Sequence, residues 1–121
     1  MIWIYIDPVA KPRMTRRDRW SERKCVVKYR KFSNEIRLAC LEGKFFPSNR
    51  LRLEYYIKMP KSWSKKKRTE MNGKPHQSRP DLDNLIKSLD ALVKEDSPIW
   101  QIEAKKFWSD VGKIKLENID E

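Results

Sequence analysis

The sequence predicts an α+β fold, a small single domain in which two main helices pack on a mixed or antiparallel sheet. Three observations predict it. Short strand-like stretches lie near both ends and in the middle of the chain, two stretches of helical periodicity separate them, and a basic excursion punctuated by proline and glycine interrupts the second half. At 121 residues the chain fits one domain spanning 1–121, large enough to bury a core but too small for separate binding and catalytic modules.

Taken in order, Ile2 to Ile6 is a short apolar run ended by Asp7 and Pro8, the pattern of a buried strand. Lys11 to Arg23 is basic, contains Pro12, and reads as a surface loop. From Lys24 onward Tyr29, Phe32, Ile36, Ala39 and Cys40 recur at spacings of three and four, and Gly43 offers a stop, which predicts a helix. Arg50 to Lys58 alternates charged residues with Leu51, Leu53 and Tyr55, as a strand with one wet face does. Ser62 to Met71 fits a short helix capped by Ser62, although Trp63 and Met71 are almost its only apolar residues. Gly73, Pro75 and Pro80 make the next segment a loop.

After Asp83, the residues Leu85, Leu89 and Leu92 form one helical stripe that Ile86 and Val93 widen, giving the second main helix. Trp100 to Trp108 and Lys113 to Ile119 then read as two strands joined through Asp110 and Gly112.

Charge narrows the class of partner. There are 28 Lys and Arg against 17 Asp and Glu, a formal charge of +11, concentrated in residues 11–31 and 58–79. A polyanion is the natural partner, and nucleic acid fits better than a membrane surface. Lys11, Arg13, Arg16, Arg17 and Arg19 in the first segment are expected to contact phosphates. Lys65, Lys66, Lys67, Arg68 and Arg79 are expected to do so in the second. Trp20 and Trp63 lie inside these segments, where they either stack on unpaired bases or pack on the core.

Cys25 and Cys40 form no C-x-x-C pair and His76 is the single histidine, which argues against a disulfide framework and against zinc chemistry. No stretch is long enough to span a membrane, so a cytoplasmic location without membrane partners is expected.

The residues richest in chemistry are Asp81 and Asp83, which follow the basic stretch and open the second main helix. Mg²⁺ prefers oxygen ligands and keeps several waters, so a few carboxylates suffice to hold it beside a phosphate. Mn²⁺ suits the same oxygens. In an extended segment the two aspartates project to one side while Leu82 points to the core. A blander account is also open: either aspartate could cap the helix, and Asp83 could pair with Lys87 four residues on. A third carboxylate would come from Asp96, with Glu95 as the alternative, provided the chain bends back after a helix about 16 Å long. Asp90 and Asp110 read as solvated surface acids.

The run Arg79-Pro80-Asp81-Leu82-Asp83-Asn84-Leu85-Ile86-Lys87, followed by Asp90-Ala91-Leu92 and Glu95-Asp96-Ser97, resembles the RusA family of Holliday junction resolvases. The run from Asp7 to Met14 resembles the amino-terminal segment of phage and prophage members, and the matching stretches together cover roughly two thirds of the chain. The resemblance implies a homodimeric endonuclease that binds branched DNA at a four-way junction and, with Mg²⁺, cuts two opposed strands symmetrically. By position it makes Asp81, Asp83 and Asp96 the metal-binding acids and Lys87 the basic catalytic residue. Glu95 stands where many members have a second aspartate, so the choice between Glu95 and Asp96 stays open by one position. The alternatives are a nuclease for flaps or forks with the same acids, and a non-catalytic nucleic-acid-binding protein whose acids only cap a helix.

Overall fold

The structure is a computed structural model that describes residues 1–13, 23–93, 95 and 97–119. Four strands form one mixed sheet: β1 (Ile2–Ile4), β2 (Arg50–Lys58), β3 (Gln101–Ser109) and β4 (Lys113–Asn118), in the spatial order β1-β4-β2-β3. Between them lie α1 (Lys24–Glu42), α2 (Lys65–Met71) and α3 (Leu82–Ile86), the last running into a 3-10 turn over Lys87–Ala91. This is the expected α+β architecture.

The alternation in β2 places Leu51, Leu53 and Tyr55 on the buried face, where Ile114 and Leu116 of β4 and Ile4 of β1 extend the same surface. Helix α1 covers this face with Tyr29, Phe32, Ile36 and Cys40, the stripe read from the sequence, and Val26 in its first turn is also buried. Each such side chain contributes about 1.5–3 kcal/mol by leaving water, so α1 is held by its buried stripe more than by its own propensity. The opposite face carries Trp3, Tyr56 and Phe107 in a row of ring contacts at 5.5 and 5.4 Å.

One local expectation is met and three change. Gly43 ends α1 as expected, with a right-handed φ of −81°. The left-handed residue is Lys44, at φ 53°. What position 43 requires is space, because a Cβ there would stand 2.5 Å from Ile2 Cδ1 and 3.2 Å from the Ala39 carbonyl. The cap of α2 is Ser64, whose side chain accepts from the Lys67 N–H at 3.2 Å, in place of Ser62.

The second main helix is shorter than its apolar stripe implied. The Ser88 hydroxyl donates to the Leu85 carbonyl, and Asp90 is drawn towards α1 by Tyr29 and Arg37, so the chain tightens into a 3-10 turn after Ile86. Finally, β3 and β4 adjoin in sequence but not in the sheet. β2 lies between them, parallel to β3 and antiparallel to β4. The segment from α2 to the 3-10 turn is therefore the crossover that joins two parallel strands.

Candidate active site

The crossover delivers the acidic pair to a segment held by Lys106 of β3 and Tyr55 of β2. After α2 the chain runs along the outer edge of β3. The Gly73 N–H donates to the Trp108 carbonyl at 2.9 Å, the Trp108 N–H to Lys74 at 2.9 Å, and the His76 N–H to Lys106 at 3.0 Å. Pro75 bridges Phe107 in the same zipper. Beyond it, Ser78, Arg79 and Pro80 turn the chain, with the Arg79–Pro80 peptide cis, and Asp81 opens α3. Leu85 is fully buried, and Leu82 and Ile86, three before it and one after, pack against the core. That seals one side of the short helix, and Asp81, Asp83 and Lys87 are exposed.

Asp81 occupies the N-cap position with an extended backbone, φ −69° and ψ 145°, yet its side chain makes no capping hydrogen bond. The Leu85 N–H donates to the Asp81 backbone carbonyl at 3.2 Å, the first bond within the helix. The capping account of Asp81 therefore loses its main support, and the carboxylate remains free for another use. Asp83 lies in the first helical turn. The strand-type alternation expected to align it with Asp81 does not apply, because burial of Leu82 and Leu85 starts the helix one residue after Asp81. Lys87 donates to Asn84 Oδ1 at 3.4 Å. The segment is anchored again where the Lys11 N–H reaches the Asn84 carbonyl at 3.2 Å.

Asp96 lies outside the described residues, as do Arg16, Arg17, Arg19 and Trp20. Among the described residues no group of three His, Cys, Asp or Glu side chains is placed to hold a metal ion. Asp81, Asp83 and Lys87 lie within one short stretch of chain and are exposed, as is Glu95. Carboxylate oxygens unspent on capping are a donor set that fits a hard divalent cation.

The basic residues divide by use. Lys65, Lys66, Arg13 and Arg79 are exposed. Lys67 is also exposed, with its ammonium 4.3 Å from the Trp63 ring centre. Arg68 is partly spent on the Pro60 carbonyl at 3.0 Å and the Trp63 carbonyl at 3.4 Å. Lys11 pairs with Asp90 at 2.6 Å, and Asp90 also accepts from the Tyr29 hydroxyl. Asp90 is accordingly the knot that ties the amino-terminal segment, α1 and the 3-10 turn, and more than a solvated acid. Burial first, then the hydrogen bond to Asp90, push the Tyr29 hydroxyl well above its ordinary pKa. Trp63 packs against Trp108 at 4.7 Å, which favours the core-packing account of that residue over base stacking.

Sequence reasoning missed Lys106. It lies on β3 in register with Tyr55, on the side that faces the core, and its Nζ donates to the carbonyls of Ser78 at 2.6 Å and Pro80 at 2.8 Å. A signal existed, since Ile102, Ala104, Lys106 and Trp108 share one parity and the lysine breaks an otherwise apolar set. Also missed was His76, buried against the Trp108 ring at 4.2 Å with neither ring nitrogen bonded.

Exposed carboxylates on a short element packed beside the edge strand, with exposed cations near them in the chain, are groups of the kind a phosphodiester-cutting hydrolase employs. Comparison with protein families sharpens this: the family model described as endodeoxyribonuclease RusA matches residues 6–117, and the chain belongs to that family. It is thereby an endodeoxyribonuclease of the crossover-junction resolvase class. Comparison with curated proteins and with solved structures gave no significant match.

Proposed function

We propose that this protein resolves four-way DNA junctions in recombination and repair by Mg²⁺-dependent hydrolysis, as a homodimer that makes one cut in each of two opposed strands. The observation that carries the reading is the state of Asp81: it sits where a capping residue belongs and does not cap. A carboxylate not spent on capping is available to an ion.

In this reading Asp81, Asp83 and Asp96 hold the ion, and Glu95 is the neighbouring alternative to Asp96. Bound there, Mg²⁺ would supply a water of lowered pKa and offset charge on the phosphate oxygens, and Mn²⁺ would serve in the same way. The chain's own groups do the rest. Leu82, Leu85 and Ile86 fix the helix so that the carboxylates need not be ordered when substrate arrives. Lys87, exposed and four residues after Asp83, is proposed to counter charge that builds on the phosphate in the transition state. Arg79 and the lysines of α2 hold the DNA backbone nearby.

Two-fold symmetry supports the dimer, because a four-way junction offers two equivalent strands and two identical sites match them. A cytoplasmic location follows from the same substrate. No helix among the described residues is long and apolar enough to cross a membrane.

Asp83→Asn tests the reading. Junction cutting should fall by at least about a hundredfold, while junction binding persists or tightens as charge repulsion with phosphate drops. Wild-type cutting by this variant would refute the metal-holding role. Side-by-side digestion of four-way junction, fork, flap and linear duplex tests the substrate, with the junction expected to be cut fastest and in paired strands.

A further inference from the structure

We propose that Lys106 is a positioning residue for the acidic segment, a strap from the edge strand that fixes the point at which Asp81 emerges. The inference rests on the nuclease reading above. Lys106 is half-buried on the core-facing side of its strand, and its ammonium finds acceptors at the rim of the core. Here the acceptors are two backbone carbonyls, of Ser78 at 2.6 Å and Pro80 at 2.8 Å. Both belong to the turn that ends in Asp81. Hydrogen bonds from a charged donor are roughly twice as strong as neutral ones, so this is a firm attachment for its size.

The register gives the strap a counterpart. Tyr55, beside Lys106 in β2, donates its hydroxyl to the Leu85 carbonyl at 3.1 Å. Two adjacent positions of the sheet thus grip the backbone on either side of Asp81 and Asp83, one before the pair and one after. The Lys106 carbonyl also accepts the His76 N–H at 3.0 Å, so one residue holds the loop through both its main chain and its side chain. Carboxylates that are already in place bind a cation without a further ordering cost. Carboxylates on a loose turn must be ordered first. Lys106 acts through the backbone of the turn and touches neither ion nor DNA.

The test compares wild type with Lys106→Met, which keeps the aliphatic stem and removes the ammonium, and with Lys106→Arg, which restores a charged donor. In Lys106→Met, amide hydrogen exchange over residues 79–86 should quicken by about tenfold while the amides of β2 and β4 stay as in wild type. The Mg²⁺ concentration that half-saturates junction cutting should rise by about tenfold and kcat should fall, with metal-free junction binding unchanged. Lys106→Arg should recover most of both.

A folded Lys106→Met with wild-type exchange, or with altered exchange but wild-type kcat and Mg²⁺ requirement, overturns the proposal. Should Lys106→Met fail to fold, Lys106→Gln is read in the same assays by the same criteria. Failure of the wild-type protein itself to cut any branched DNA with Mg²⁺ or Mn²⁺ would refute the nuclease reading, and the exchange comparison would still decide whether the strap exists.

Discussion

His76 shows what a single side chain can reveal about its surroundings. It is buried on Trp108 with both ring nitrogens unbonded, and burial, followed by the nearby charge of Lys106, lowers its pKa below the ordinary histidine value. A histidine whose folded-state pKa is lowered binds fewer protons in the native state than in the unfolded chain. Its cost is absent above the unfolded pKa of about 6.5 and grows as pH falls from there through the lowered folded value. Stability measured by urea unfolding should therefore decline below about pH 6.5, and His76→Phe should flatten that decline. An unchanged slope in the variant would assign the acid sensitivity elsewhere. Asp90 is the complementary case: its sequence context is that of a solvated acid, yet it accepts from Tyr29 and pairs with Lys11 at 2.6 Å. Tyr29→Phe should cost about 1–3 kcal/mol, checked by chemical unfolding, because it takes from Asp90 a donor set in the buried face of α1.

Among the elements, α1 and β2 were legible from periodicity because each has one buried side and one wet side, so the solvent boundary is written into the order of residues. The second main helix was overextended for a definable reason: its apolar stripe continues, but the contacts of Ser88 and Asp90 that end it involve residues far apart in sequence. The same holds for the pairing of β3 with β2, which no local pattern encodes. The acidic pair was legible as a motif, whereas the strap from Lys106 was not, because it depends on which strand lies at the edge. Helix α2 has no buried residue, so a seven-residue helix stands on the Ser64 cap, the Arg68 contacts and Trp63. Ser64→Ala should cost α2 about 1 kcal/mol, seen as faster amide exchange over 65–71 and weaker junction binding, with little change in global Tm. At the β3–β4 turn, a Cβ on Gly112 would stand 2.7 Å from Asp7 Cα, so Gly112→Ala should lower Tm by forcing that backbone apart.

For the whole molecule the decisive quantity is the charge of +11. Binding that rests on phosphate contacts weakens with salt by roughly 0.9 log units per contact for each tenfold rise in salt. A log–log slope steeper than about −4 is expected for junction DNA, corresponding to five or more contacts. A slope near −1 would move the interface away from the basic segments. The order of the sheet has a temporal consequence as well. β4, the latest of the four strands to be synthesised, enters between β1 and β2, and β3, which carries the strap, comes shortly before it. Closing contacts over such long stretches of chain is slow compared with forming α1. On a translating ribosome the acidic turn would thus stay unbraced until β3 had emerged and paired with β2, so the last stretch of chain to leave the tunnel sets when that turn becomes fixed.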